Sequence, residues 1–262
     1  MTYQYKRKHK ESFRRIHYIV VKNSVLRKAC ELLYPPRCPF CDAVLDRSEQ
    51  ETGYCRMCAG RLPWVRGSVC MKCGKPVKYQ EQEYCPDCAG KHHVFDQGVA
   101  AFTYSGCMPS SVHRMKSCNR RDYLDFFAAA MAGACSRRLA SWKPEVILAV
   151  PMHPSRRAAR GYNQSELLAE KISVWTGIPA DLTALVCVRK TKTQKTLSRK
   201  ERQANLRGSF AVRRSFLGVS GVLVVDDVYT TGSTMDEIAE VLKAAGVSRV
   251  YFLVLCIGKG KN

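Results

Sequence analysis

From about residue 98 to the C-terminus, short apolar runs alternate with longer stretches whose apolar residues recur at helical spacing. Runs typical of strands are residues 98–104, 145–150, 181–188, 221–226 and 248–257. Stretches typical of helices are residues 122–140, 163–175 and 233–245, and glycine follows the last two at positions 177 and 246. Strands that alternate with helices predict an α/β fold, doubly wound around a mostly parallel sheet.

Residues 32–92 lack this pattern and are instead organised by cysteine. Two cysteines separated by two residues can hold one ion from a tight turn, and two such pairs complete the tetrahedral thiolate shell that zinc prefers. Four C-x-x-C pairs are present, formed by Cys38 and Cys41, Cys55 and Cys58, Cys70 and Cys73, and Cys85 and Cys88. The sequence therefore predicts a small double zinc-ribbon module with two zinc ions.

An internal repeat indicates how the pairs combine. YCRMCAG at residues 54–60 recurs as YCPDCAG at residues 84–90, and each copy follows an earlier cysteine pair. A duplicated unit most simply closes on itself, which assigns the first two pairs to one ion and the last two to the other. The interleaved pairing is the alternative. His92 and His93, which follow the last pair, are interpreted as linker.

The ribbon module has few large apolar residues, so the metal is expected to replace a hydrophobic core. A contact with nucleic acid or a partner protein is the alternative role. The other cysteines are interpreted as small apolar groups in a reduced protein; they are Cys30, Cys107, Cys118, Cys135, Cys187 and Cys256.

The positive charge of the chain is concentrated in two segments. The net charge is +21, and residues 1–30 and 189–214 carry nine and ten Lys/Arg respectively, against one Glu each. Such basic zones attract polyanions, although a solvated tail is the alternative for the first zone. We predict a basic N-terminal tail (1–31), the double zinc ribbon (32–92) and the α/β domain (93–262). No apolar stretch is long enough to span a membrane, and a cytoplasmic protein without membrane insertion is expected.

The most informative stretch is GVLVVDDVYTTGST, residues 221–234. Its apolar run ends in Asp226 and Asp227, and ligands of doubly wound folds bind at the carboxyl ends of strands. The hydroxyl-rich loop then leads into a helix whose free N–H groups favour a phosphate. Two carboxylates repel a bare phosphate, so they are expected to face ribose hydroxyls or a Mg²⁺ ion. The loop residues are Thr230, Thr231, Gly232, Ser233 and Thr234.

Two further segments offer cations. VPMHPSRR follows the predicted strand at 145–150, and Arg156, Arg157 and Arg160 are candidates for binding a pyrophosphate, because a guanidinium binds two oxygens at once. The polar, basic segment 189–214 resembles the mobile loop that closes over the pyrophosphate in phosphoribosyltransferases, and a solvated surface helix at 197–206 is the alternative.

Residues 222–234 closely resemble the signature of the type I phosphoribosyltransferases for 5-phosphoribosyl-1-pyrophosphate (PRPP). That resemblance implies that Asp226 and Asp227 contact the ribose 2- and 3-hydroxyls and that Thr230 to Thr234 wrap the 5-phosphate. Thr230 stands where purine-salvage transferases carry an aspartate, which argues against simple salvage of hypoxanthine or guanine.

The order of motifs resembles the ComF family of competence proteins: LLYPPRCPFC, HRMKSCNRRDYLDFFA, VPMHPSRRAARGYNQSELLA, the LSRxER and NLRGSF segment and the PRPP signature. The resemblance runs from about residue 32 to residue 255. It implies a zinc ribbon, a phosphoribosyltransferase-like domain and a role in DNA uptake with other competence proteins. Mg²⁺-dependent phosphoribosyl transfer to an unidentified acceptor is one hypothesis. A non-catalytic protein that binds single-stranded nucleic acid, or a PRPP sensor, is the other, and whether the chain is an enzyme stays open.

Overall fold

The computed structural model describes residues 34–189 and 206–258. The predicted tail (1–31), Cys30 and the helix at 197–206 lie outside these residues, except for Leu206 at the end of that helix. The strands are β1 (Gln97–Thr103), β2 (Val146–Ala149), β3 (Ala180–Asp181), β4 (Leu185–Cys187), β5 (Phe210–Val212), β6 (Gly221–Tyr229) and β7 (Arg249–Ile257). The helices are α1 (Arg47–Gln50), α2 (Arg56–Ala59), α3 (Pro86–Ala89), α4 (Met108–Ser117), α5 (Tyr123–Trp142), α6 (Pro154–Arg160), α7 (Gln164–Thr176) and α8 (Ser233–Ala244).

Five strands form one sheet in the order β1-β7-β6-β2-β3, and all of its pairs are parallel. Successive side chains of a strand point to opposite faces, so both faces of the sheet need a cover. Leu223 and Val225 of β6 belong to a core with α5 and α7, whereas Val222 and Val224 belong to a core with α8. Helices therefore cover both faces, which confirms the predicted doubly wound parallel fold.

Three helical stretches lie where the sequence predicts them, and local signals explain their ends. The side chain of Asn163 caps α7 by accepting a hydrogen bond from the backbone N–H of Ser165, and Gly177 ends the helix in the left-handed conformation. Within the described residues, no helix is long and apolar enough to cross a membrane.

The strand predictions need two corrections. Residues 181–188 do not form one strand: β3 ends at Asp181, and β4 pairs antiparallel with β5 in a separate two-stranded sheet. The side chain of Asp181 accepts hydrogen bonds from the N–H groups of Thr183 and Ala184, and this turn separates the two strands. In addition, β6 continues past residue 226 to Tyr229, because β7 pairs with it as far as Ile257.

The first ribbon does not rely on metal alone for its packing. Phe40, between Cys38 and Cys41, is 2% exposed. Its ring centroid lies 5.8 Å from that of Phe102 on β1 and 5.4 Å from that of Phe126 on α5. The ribbon therefore shares the core of the α/β domain, which corrects the expectation that metal replaces a core there.

The second ribbon packs on the opposite face of the sheet, beside α8. Cys73 and Phe95 belong to the same buried cluster as Phe252 of β7. The segment after the last cysteine pair is fixed by Asp236 of α8, whose carboxylate pairs with the Lys91 ammonium at 2.5 Å and with His93 Nδ1 at 2.9 Å. His93 is buried, so the interpretation of this histidine as simple linker is wrong.

Candidate functional site

A cavity of about 860 Å³ opens at the carboxyl ends of β2 and β6. This is the edge of a doubly wound sheet at which ligands bind. The predicted site residues that line it are Asp226, Asp227, Thr230, Thr234, Arg156 and Arg160. Other lining residues are Tyr104, Lys116, Asn119, His153, Asn163, Gln164, Ser165, Leu206 and Phe210. Strand ends, α4, α6, the start of α7 and the small β4–β5 sheet thus contribute to one space.

The acidic pair is held by partners from two helices. Asp226 Oδ1 accepts a hydrogen bond of 2.8 Å from the Ser165 hydroxyl at the start of α7. Asp227 Oδ2 lies 2.7 Å from the Lys116 ammonium at the end of α4. Burial, and then the charge of Asp227, raise the pKa of Asp226 to about 7. Near neutral pH the pair therefore carries less than two full negative charges.

Lys116 is charged in this setting. Burial alone lowers the pKa of an amine, but the charges of Asp227 and Asp226 outweigh it and raise the pKa of Lys116 above its ordinary value. The ammonium and Asp227 therefore form an ion pair within the cavity.

The hydroxyl-rich loop leads into the twelve-residue helix α8. Of its five predicted residues, Thr230 and Thr234 belong to the described lining of the cavity, whereas Thr231, Gly232 and Ser233 do not. Gly232 has a φ of +82°, and a Cβ there would lie 2.6 Å from the Tyr229 hydroxyl and 2.8 Å from His93 Cε1. Only glycine fits this turn without displacing neighbours.

The three arginines differ in position. Arg156 and Arg160 line the cavity, and Arg160 Nη1 donates a 2.8 Å hydrogen bond to Gln164 Oε1. Arg157 is outside the described lining and pairs with Glu166 at 2.8 Å. All three belong to α6, a helix that the sequence analysis did not predict.

The segment RGYNQS, residues 160–165, connects the parts of the site. Asn163 Nδ2 donates to the carbonyl of Val150 after β2, and Ser165 holds Asp226. The Tyr162 hydroxyl donates to the carbonyl of Met115, the residue before Lys116. The Arg121 guanidinium lies over the Tyr162 ring, 4.3 Å from its centroid. One short segment thus fixes the β2 loop, the acidic pair and the end of α4 relative to one another.

The eight ribbon cysteines form two clusters, one of Cys38, Cys41, Cys55 and Cys58 and one of Cys70, Cys73, Cys85 and Cys88. Within each cluster the sulfur atoms lie within 4.8 Å of one another. Cys41 Sγ is 3.5 Å from Cys55 Sγ, and Cys73 Sγ is 3.6 Å from Cys85 Sγ. Zinc–sulfur bonds of about 2.3 Å place tetrahedral ligands about 3.8 Å apart. The clusters fit two zinc ions, and the sequential pairing is confirmed over the interleaved one.

Sequence reasoning assigned no role to Lys116, Tyr162 or Ser165. The motifs HRMKSCNRR and RGYNQS that contain them supported the family resemblance, but spacing alone does not show which strand end a helix residue will reach. Lys116 contacts Asp227, which is 111 positions away in the sequence. Tyr162 contacts Met115, 47 positions away, and Ser165 contacts Asp226, 61 positions away.

Comparison with known families agrees with the fold and the metal clusters. Residues 29–89 match the double zinc ribbon domain, and residues 127–262 match the phosphoribosyl transferase domain. The chain thus combines a zinc-binding module with a domain of the phosphoribosyltransferase class.

The relatives specify the family. The DNA utilization protein YhgH of Salmonella typhimurium is 33% identical over 232 residues, which cover 86% of this chain and 98% of the relative. Competence protein F of Haemophilus influenzae is 32% identical over 74% of this chain and 87% of its own. Competence protein ComFC of Bacillus subtilis is 26% identical over 74% and 81%. The chain belongs to the ComF family.

Solved structures are more distant. The glutamine PRPP amidotransferase of B. subtilis, complexed with ADP and GMP, is 22% identical over 49% of this chain and 25% of its own, with a TM-score of 0.32. A purine phosphoribosyltransferase of Pyrococcus horikoshii is 21% identical over 51% and 72%, also with a TM-score of 0.32. The assignment of the fold depends on the sheet topology and the family match, not on these similarities.

Proposed function

We propose that the cavity binds PRPP and that the protein acts in DNA uptake. The names of its relatives, DNA utilization protein and competence protein, support this role. The observation that carries the proposal is the convergence of an acidic pair, a hydroxyl-rich helix N-terminus and two arginines on one cavity. These groups match, in turn, the hydroxyls, the 5-phosphate and the pyrophosphate of one ligand.

Each end of the ligand has a physical counterpart. The free N–H groups at the start of α8 and the hydroxyls of Thr230 and Thr234 suit the 5-phosphate. Asp226 and Asp227 accept hydrogen bonds from the ribose 2- and 3-hydroxyls, as the family signature implies. Arg156 and Arg160 suit the pyrophosphate. Arg157, which pairs with Glu166, is left out of this proposal.

Mg²⁺ fits this site when it binds together with the ligand. Lys116 and Ser165 already contact the carboxylates, so a bare ion at Asp227 would compete with an ammonium 2.7 Å away. Mg²⁺ is commonly held by substrate phosphates and keeps several waters, and when bound it would neutralise charge on the pyrophosphate. We therefore propose that Mg²⁺ enters with PRPP.

Transfer is the finer hypothesis. An acceptor atom would form a bond to the anomeric carbon while the bond from that carbon to the pyrophosphate oxygen breaks, and the arginines would bind the departing anion. The acceptor is unassigned. Leu206 and Phe210 also line the cavity and add apolar surface to it.

Calorimetric titration of the zinc-loaded protein with PRPP and MgCl₂ tests binding. We expect saturable binding to one site, and a loss of about tenfold or more in affinity for Asp227→Asn. Asp125→Asn is the matched control, since Asp125 pairs with Lys171 outside the cavity lining. An absence of binding by the wild type, or equal affinities for both variants, would refute the proposal. A pyrophosphate-release assay against bases, nucleotides and single-stranded DNA then separates a transferase from a sensor.

Binding of single-stranded nucleic acid is a second candidate function, favoured by the second ribbon. Tyr79 is 59% exposed and Tyr84 46% exposed, and the Lys78 ammonium lies 5.2 Å from the centroid of the Tyr79 ring. Exposed aromatic rings next to cations can stack on bases. We expect affinity for an oligonucleotide that falls steeply with salt and weakens in Tyr79→Ala. Binding that does not depend on salt, or is unchanged in this variant, would count against it.

A further inference from the structure

Lys116 has a fixed position in the cavity. It is the penultimate residue of α4, and the hydrogen bond from Tyr162 to the Met115 carbonyl anchors the turn that carries it. Met115 itself is fully buried. The Lys116 side chain is 28% exposed, and its ammonium lies 2.7 Å from Asp227 Oδ2. The backbone next to Lys116 is thus held by Tyr162 and by the burial of Met115, while the ammonium faces the cavity.

The ion pair with Asp227 leaves donor capacity on this ammonium. A lysine ammonium has three N–H donors. Among the residues that the structure describes, Asp227 is the one carboxylate within ion-pair distance of it. A partly buried cation with N–H groups that bind no protein acceptor gains a favourable contact when an anion enters.

A second cation, Arg160, lines the same cavity. The charge of Arg160 opposes the rise in the pKa of Lys116, although its effect is smaller than those of burial and of the two aspartates. Like charges that line the same cavity repel each other when it is empty, and a polyvalent anion between them relieves the repulsion. Near neutral pH Asp226 is partly protonated, so the acidic pair does not fully neutralise the two cations. The charge arrangement favours an anion with more than one negative charge.

We infer that Lys116 binds the pyrophosphate of the ligand together with Arg160, while it keeps its ion pair with Asp227. This rests on the proposed binding of PRPP and assigns a further residue to its pyrophosphate end. The same ammonium would link the carboxylate that holds the ribose to the leaving group. Lys116 would thus fix the distance between these two parts of the ligand.

The alternative is that Lys116 serves only as a counter-ion for the acidic pair. The two roles affect different fragments of PRPP. If Lys116 binds pyrophosphate directly, its removal should weaken the binding of every molecule that carries a pyrophosphate group. A simple counter-ion should change the binding of ribose 5-phosphate, which contacts the acidic pair but lacks pyrophosphate.

The test is calorimetric titration of the zinc-loaded, full-length protein with inorganic pyrophosphate, ribose 5-phosphate and PRPP, each with MgCl₂. For Lys116→Gln we expect affinity for pyrophosphate and PRPP to fall by about tenfold or more, and affinity for ribose 5-phosphate to change by less than about threefold. Lys116→Arg, which keeps the charge, should retain most of the affinity for pyrophosphate. Lys171→Gln is the matched control, because Lys171 pairs with Asp125 on the surface.

Unchanged pyrophosphate affinity in Lys116→Gln, or an equal loss for ribose 5-phosphate, would overturn the inference. Zinc content and thermal unfolding show whether each variant is folded. If Lys116→Gln does not fold, the pyrophosphate affinity of Lys116→Arg is compared with that of the wild type. A loss of pyrophosphate affinity as large as that of Arg160→Gln would then overturn the inference. If the wild type binds pyrophosphate but not PRPP, the proposed function fails while the pyrophosphate measurement still decides the role of Lys116.

Discussion

Asp226→Asn should make the protein less sensitive to rising pH. Burial and the charge of Asp227 raise the pKa of Asp226 from 3.8 to about 7 in the folded chain. The folded state therefore holds this proton more tightly than the unfolded state. The contribution of Asp226 to stability is complete below pH 3.8 and is lost as the pH rises through 7. Asparagine does not titrate, and its amide oxygen can still accept the hydrogen bond from Ser165.

The size of the effect follows from the shift. A pKa shift of about three units corresponds to about 4 kcal/mol in the free energy of unfolding for a carboxyl fully shielded from solvent, at about 1.4 kcal/mol per unit. Asp226 is half-buried and faces an open cavity, so solvent reduces this value. Between pH 6 and pH 8.5, where the zinc thiolates stay bound, only about one unit of the shift is crossed. We expect the free energy of unfolding of the wild type to fall by up to about 1 kcal/mol relative to Asp226→Asn over this range.

Thermal unfolding of both zinc-loaded proteins at pH 6 and pH 8.5 measures this change. A difference of about 1 kcal/mol shifts Tm by about 2–4 °C in a domain of this size. Asp181→Asn is the control: its carboxylate accepts hydrogen bonds and pairs with Arg214, which together lower its pKa despite burial, so its effect on Tm should be the same at both pH values. The reasoning is refuted if the Tm of the wild type does not fall relative to that of Asp226→Asn between pH 6 and pH 8.5.

Three other predictions concern the ribbons and the loop. Phe40→Ala should lower the free energy of unfolding by about 3–5 kcal/mol in urea denaturation, since it removes a ring buried between ribbon and sheet; a loss below about 1 kcal/mol would mean that the ribbon folds separately. Gly232→Ala should destabilise the protein by more than about 1 kcal/mol and weaken PRPP binding, and an unchanged titration contradicts this. Elemental analysis should give two zinc ions per chain and one in Cys73→Ser, whereas loss of neither or both contradicts independent clusters.

The parts of the structure that the sequence predicted are those with a local signal. The repeat of YCRMCAG as YCPDCAG was enough to pair the cysteines, because neighbouring turns supply each shell. The acidic pair, the loop and α8 are contiguous, so their arrangement follows from a strand that runs into a helix. The predicted strand at 221–226 continues to Tyr229 in the structure because β6 pairs with β7 there, and the local sequence pattern does not show this pairing.

The remaining features depend on contacts between distant residues. His93 meets Asp236 across 143 positions, and polar residues beside a cysteine pair look like linker until that partner is known. Lys116 and Ser165 reach the acidic pair because α4 and α7 end or begin at the same sheet edge. Two carboxylates without visible partners predicted a metal or a sugar. The structure adds an ammonium from the chain itself, which changes how Mg²⁺ is expected to arrive.

A crystal structure of the zinc-loaded protein with PRPP and Mg²⁺ tests the central claim most directly. We predict the 5-phosphate at the Thr230–Thr234 loop, the ribose hydroxyls at Asp226 and Asp227, and the pyrophosphate between Arg160 and Lys116. PRPP bound elsewhere, or a cavity that stays free of it at saturating concentration, would contradict the account.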